Sequence, residues 1–188
     1  TTGTPNDAFG ANALGVCTTG ASNAAFGTNA LDALTTGTHS AAFGNGSLSA
    51  QTTGTYNVAM GFNAGVNLTT ATANVIIGGN AGTGAITGAS NVSIGYGAGT
   101  SITSGSNNVT IGRDSATTAA DSANEFTLGN SSISNLRCND TSISSLSDER
   151  DKAQVSNLPS AAGLDFINSL RPITYYWDRR EWYPDGDP

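Results

Sequence analysis

The chain has 188 residues, 24 of them glycine, with 7 basic and 14 acidic side chains and a net charge of −7. Charged residues make up only 11%, less than half the usual share of a soluble domain, so the composition is that of a repetitive or low-complexity chain. No apolar run approaches the length of a membrane span, and the acidity, with no basic residue before Arg113, argues against nucleic acid or anionic lipid as a partner.

Thr1 to Gly10 shows neither the basic start nor the apolar run of a secretory signal, and the absence of an initiator methionine suits a processed product or a fragment. From there a repeat takes over. Glycine returns every 17 residues, at Gly10, Gly27, Gly44, Gly61, Gly78, Gly95, Gly112 and Gly129. Before each stands an apolar residue: Phe9, Phe26, Phe43, Met60, Ile77, Ile94, Ile111 and Leu128. Two positions earlier come Ala24, Ala41, Val58, Val75, Val92, Val109 and Phe126, with Asp7 the exception. Asparagine opens the motif at Asn6, Asn23, Asn57, Asn74, Asn91 and Asn108, and a second glycine ladder runs through Gly3, Gly20, Gly37, Gly54, Gly88 and Gly105.

The unit Asn-Val-x-Ile-Gly alternates, which makes it a short strand with its two apolar side chains on one face and glycine turns at its ends. Seventeen residues cannot hold two helices. The predicted fold is therefore all-β: a β-solenoid or β-roll of about eight 17-residue coils over residues 1–133, stacked to roughly 38 Å. The two apolar residues are expected to point inward. The residue between them (Ala8, Ala25, Ala42, Ala59, Ile76, Ser93, Thr110, Thr127) then points outward. Asp7 and Asp32 are the only charges in the first 112 residues, so this outward face is expected to pack on identical chains.

These repeats resemble the trimeric β-roll heads of bacterial surface adhesins and the shafts of phage tail fibres with similar Asn-x-Ala-apolar-Gly units. The resemblance covers residues 1 to about 133 and implies a homotrimer.

After Arg113 the composition changes: all seven basic and twelve of the acidic residues lie in 113–188. Residues 134–146 suit a neck or linker. Ser160 to Leu170 has the start signals and apolar stripe of a short helix, and Ile173 to Trp177 is strand-like. Residues 147–188 thus form a short α+β segment, too small to stand without partner chains. Ser147-Asp148-Glu149-Arg150-Asp151-Lys152, with the run from Gly163 to Trp177, resembles the opening of the endosialidase-type intramolecular chaperone domain that ends many phage tailspikes. The resemblance implies self-cleavage at Leu146–Ser147, with Ser147 as nucleophile and Lys152 as its base. Such a base must be neutral to act. Without the resemblance, Ser147 and the two acids after it read as an ordinary helix start.

Other constellations carry less. Cys17 and Cys138 are too few and too far apart for a disulfide framework or a four-ligand zinc site. His39 is the only histidine, so no metal site is expected. The shaft lacks the paired carboxylates of a glycosidase, and Gly78-Gly79-Asn80-Ala81-Gly82 lacks the lysine of a phosphate loop. Trp177, Trp182, Tyr175, Tyr176 and Tyr183 suit packing in a trimeric tip, or a glycan contact. Thr18, Thr35, Thr52 and Thr69 form a ladder like that of ice-binding solenoids, which fails at Ile86.

The expected function is structural and adhesive: a trimeric tail-fibre segment of a virion, extracellular, contacting a host receptor or glycan and other tail proteins. No cofactor, nucleic acid or membrane insertion is expected, and no turnover beyond self-cleavage. A bacterial adhesin head is the alternative, and an ice-binding solenoid the third reading.

Overall fold

The structure is a computed structural model that describes residue 3 and residues 5–84 and 87–137. The chain divides into two compact units between Arg137 and Cys138. The described residues belong to the first. Ser147, Lys152, the expected helix and strand of 147–188 and the tryptophan cluster lie outside the described residues, as does most of the expected neck.

Eight short strands follow one another: β1 Asn6–Phe9, β2 Asn23–Phe26, β3 Ala41–Phe43, β4 Val58–Met60, β5 Val75–Ile77, β6 Val92–Ile94, β7 Val109–Ile111 and β8 Phe126–Leu128. They form one parallel sheet in sequence order, and each residue pairs with its equivalent 17 positions on, as Val58 does with Val75 and Met60 with Ile77. The result is an all-β solenoid of about seven turns, with no helix among the described residues. Parallel strands usually need a helical crossover. Here each return path is instead bent at left-handed corners, one held by Asn12, Asn29, Asn63 and Asn80, another by Ser22, His39, Tyr56 and Ala73. Asparagine tolerates this conformation better than most residues.

The direction of the strand faces is the reverse of the sequence expectation. Ala25, Ala42, Ala59, Ile76, Ser93 and Thr110, expected outside, are buried, while Phe26, Phe43 and Met60, expected inside, are exposed. The cause is the far wall of the coil. Leu31, Leu34, Leu48, Leu68 and Ile102 reach into the lumen and fill it. Ala25 and Ala42 are each followed six residues later by leucine and Ile76 by Gly82, whereas Ala59 with Gly65 and Ser93 with Gly99 are small on both walls. A Cβ on Gly65 would come within 2.9 Å of the Leu48 side chain and 3.1 Å of Ile76. Volume is thus traded between the two walls, as close packing requires.

The asparagines are the polar spine of this interior. Asn57, Asn74, Asn91 and Asn108 are fully or nearly fully buried. In each, Oδ1 accepts the backbone N–H of the same column one coil on, as Asn74 does from Asn91 at 2.9 Å. Nδ2 donates across the corner to the carbonyl fourteen residues on: Gly88 and Gly105 of the glycine ladder for Asn74 and Asn91, and Ala71 and Ser122 at the equivalent positions for Asn57 and Asn108. The column changes at Ser40, whose Oγ still accepts the Asn57 N–H at 3.3 Å but is too short to donate across the corner as the asparagine Nδ2 does. Gln51 fills the gap from across the lumen, donating to Ser40 Oγ and Gly54 O, both at 2.9 Å, while its Oε1 accepts from Asn57 Nδ2 at 3.0 Å. Eleven residues after Asn23 and Asn57 the chain has Leu34 and Leu68; eleven after Ser40 it has glutamine.

Two outcomes follow for stability. Gly61 has φ +136°, and a Cβ there would lie 2.7 Å from the Gly78 carbonyl carbon of the next coil, whereas Gly79 has only Tyr96 ring atoms at 3.5 Å and beyond. Gly61→Ala should lose ~2 kcal/mol or more in denaturant unfolding and Gly79→Ala less than ~0.5. Gln51→Leu alone should cost ~1–3 kcal/mol by stranding buried partners, and adding Ser40→Asn should restore most of it. Independent, additive losses would contradict the compensation.

Candidate self-association face

Because the lumen takes the middle residue of β2 to β7, the two residues beside it form the outer surface of the sheet. They make two columns. The valine column runs Ala24, Ala41, Val58, Val75, Val92, Val109, Phe126; the isoleucine column runs Phe26, Phe43, Met60, Ile77, Ile94, Ile111, Leu128. From β2 to β8 neither column contains a polar or charged residue. Met60 and Leu128 are each 47% exposed and Phe126 64%, while Ile77, Ile94 and Ile111 are half-buried by their neighbours along the column. Phe26 and Phe43 stack at 5.0 Å with ring planes 2° apart, as identical residues one coil apart must.

Exposed aromatics stand beside the face on single coils, in flanking columns that are otherwise mostly small or polar. On the fourth coil Tyr56 and Phe62, 61% and 57% exposed, bracket Val58 and Met60. Further along, Tyr96 lies beneath the Arg113 guanidinium at 5.6 Å, and Arg113 pairs with Asp114 at 3.3 Å. These charges stand beside the columns, not in them. With strands of three residues at about 3.3 Å each and seven coils at about 4.8 Å, the face measures about 10 by 34 Å, or ~340 Å². That is within the range of the largest apolar patch on a typical monomer, which is often functional, and is less than half of the ~800 Å² per partner of a standard interface.

The last strand is secured by Glu125, which stands at the end of the asparagine column. Its backbone N–H donates to Asn108 Oδ1 at 3.0 Å, and its carboxylate accepts from the Thr118 N–H at 3.0 Å and the Thr118 hydroxyl at 2.9 Å. Desolvation raises the carboxyl pKa, but hydrogen bonds from Thr118, Ser122 and Thr127 outweigh it and hold the group below its ordinary value.

The described residues offer little catalytic chemistry. No three His, Cys, Asp or Glu side chains cluster to hold a metal. His39 stacks on Tyr56 at 4.9 Å. A groove of about 500 Å³ at the last coil is lined by Asp114, Thr127, Leu128 and Asn130 and brings one carboxylate and no base. The threonine ladder serves the backbone: the Thr18 and Thr35 hydroxyls donate to the carbonyls of Thr35 and Thr52 at 3.0 and 3.1 Å. Ser147 and Lys152 fall outside the described residues, so their approach is not among these contacts. The face itself was missed in sequence because alternation does not say which side is inside. The invariably uncharged, mostly small middle position, paired from Ala8 to Ser93 with leucine or glycine six residues on, was the available signal. No protein-family model, curated protein or solved structure matches the chain.

The lowered pKa of Glu125 sets a pH dependence. A carboxylate held lower in the folded state adds stability above its unfolded pKa and loses it as pH falls through the folded value. Protection of the Thr118 amide from hydrogen exchange should therefore drop between about pH 5 and about pH 3. Glu125→Gln should remove that acid-dependent step.

Proposed function

We propose that this chain is a segment of a homotrimeric fibre, a phage tail-fibre or tailspike shaft, whose work is mechanical and adhesive. The observation that carries the reading is the uninterrupted apolar outer face of the sheet. A solenoid that worked alone would gain nothing from seven coils of outward valine, isoleucine and phenylalanine, and would risk aggregation. Three copies with these faces turned toward a common axis would bury them and make a stiff rod from chains whose own cores are thin. The surfaces left outside, rich in threonine, serine and asparagine, would meet a host receptor or surface glycan and other tail proteins.

The segment from Ser147 to Trp177 supports the phage reading over a bacterial adhesin head through its resemblance to the intramolecular chaperone. In that reading residues 147–188 begin a trimerisation segment: Ser147 Oγ attacks the Leu146 carbonyl carbon, neutral Lys152 takes the hydroxyl proton and returns it to the Ser147 amine as the Leu146–Ser147 C–N bond breaks, and water then hydrolyses the Leu146 ester. This is one self-processing event, with no turnover on other molecules.

The native mass from light scattering tests the association. For the uncut chain a value near three times 18.8 kDa is expected, for the cut chain three times the mass of residues 1–146, and the mass of a single chain would overturn the trimer. Ile77→Lys with Ile94→Lys should reduce the trimer to monomer with the β circular dichroism kept, weakening association more than ~100-fold because buried unpaired charges are costly. Intact mass spectrometry of the same sample reads the cut: cleavage that survives Ser147→Ala would remove Ser147 from the role.

A further inference from the structure

The chain contains one Asn-Gly pair, Asn45-Gly46. A glycine after asparagine carries no side chain to shield its backbone nitrogen, so that nitrogen can reach the asparagine amide carbon. Asn57, Asn74, Asn91 and Asn108 lack this opening, because valine follows each of them. The pair arises at the left-handed corner that Asn29 and Asn63 hold in the coils on either side and Gly46, with φ +68°, holds in the third. Asn45 is exposed, whereas Gly46 is buried. Stacking pins the glycine nitrogen. Gly46 N–H donates to Thr28 O of the coil before at 3.0 Å, and Asn45 O accepts the Asn63 N–H of the coil after at 2.9 Å. A Cβ on Gly46 would strike the Asn63 side-chain oxygen, so the peptide has little room to turn.

We propose that Asn45-Gly46 is a self-modification site, held closed by the stacked coils and opened when the third coil separates from its neighbours, and that the isoaspartate formed there bars the coil from stacking again. Hydroxide removes the Gly46 amide proton, the nitrogen bonds to Asn45 Cγ, and the side-chain nitrogen leaves as ammonia. Both the loss of that proton and the swing of the nitrogen break its bond to Thr28, which is why opening must come first. Water then opens the five-membered imide. Attack at the side-chain carbonyl gives aspartate. Attack at the main-chain carbonyl gives isoaspartate, whose main chain runs through the former side chain and is one atom longer. The register has no place for that atom, since Phe43 pairs with Phe26 on one side and Met60 on the other. Either product also sets a carboxylate in the column between Thr28 and Phe62, beside the exposed rings of Phe43 and Phe62. Neither step needs a second chain.

The test is timed incubation of the full chain in mildly alkaline buffer, with peptide mass mapping of residues 44–62 and anion-exchange separation of the more acidic product. The native chain should modify slowly and the urea-unfolded chain fast. Equal rates would overturn the gate. Gly27→Ala drives the second and third coils apart without touching the reacting pair, because its Cβ would lie 2.6 Å from the Gly44 carbonyl carbon and 3.1 Å from Asn45 N. It should speed modification on the order of 10-fold or more, while Gly79→Ala leaves the rate unchanged. Urea below the unfolding transition should speed the unsubstituted chain in the same way, which covers a Gly27→Ala chain that does not fold. No acceleration by either route would overturn the gate as well. In the acidic fraction carrying isoaspartate, the Gly44 and Gly61 amides should lose their protection from hydrogen exchange. Protection kept there would overturn the bar to stacking. Asn45→Thr, which installs the residue of the equivalent Thr28, should yield no such fraction, and a fraction with the same loss would place the reaction at another asparagine and overturn the site.

Discussion

Every coil lies directly on the next with a repeat that never slips, so each side chain meets its own equivalent above and below. That self-contact governs the rest. A residue is acceptable only if a stack of its own kind is acceptable. Asparagine satisfies this inside, where its Oδ1 takes the N–H of the following coil and its Nδ2 takes the carbonyl fourteen residues on. Glycine satisfies it at the tight corners, where a Cβ on Gly61 would strike the backbone of Gly78. Aromatic residues satisfy it outside, where Phe26 lies flat on Phe43. Charge fails it, since a column of like charges one coil apart would repel. This is a physical reason for the near absence of charge before Arg113.

The same constraint decided what the sequence could reveal. The period, the parallel register and the eight strand positions were legible because stacking forbids insertions and leaves glycine and asparagine at fixed intervals. The side of the sheet that faces the lumen was not. In most sheets the larger apolar residues of an alternating strand face the core. Here Leu31, Leu34, Leu48 and Leu68, in stretches that read as turns, supply the core from the opposite wall and displace Phe43 and Met60 outward. The exchange between Ser40 and Gln51 was hidden for a related reason: its halves lie eleven residues apart and meet only across the lumen. The expected association survives as a proposal, but on the opposite face from the one sequence suggested. For the self-processing residues, Ser147 and Lys152, sequence resemblance remains the whole argument.

A coil built this way is half a structure. Its interior is narrow and largely alanine, leucine and asparagine, while its largest apolar residues lie on the outer side of the sheet. Small cores bury too little to be rigid alone, and repeat architectures commonly gain stability from neighbours. A fibre of several such chains would put the second apolar layer to use and leave the hydroxyl- and amide-rich sides for contact with a host surface.

The one methionine of the chain, Met60, stands in the middle of the outer face and is 47% exposed on a single chain. Its oxidation by dilute peroxide therefore reports directly whether that face is covered. The account predicts slow formation of the sulfoxide in the native protein and fast formation in the Ile77→Lys/Ile94→Lys chain. Equally fast oxidation of Met60 in the native protein would show a bare face and contradict the central claim.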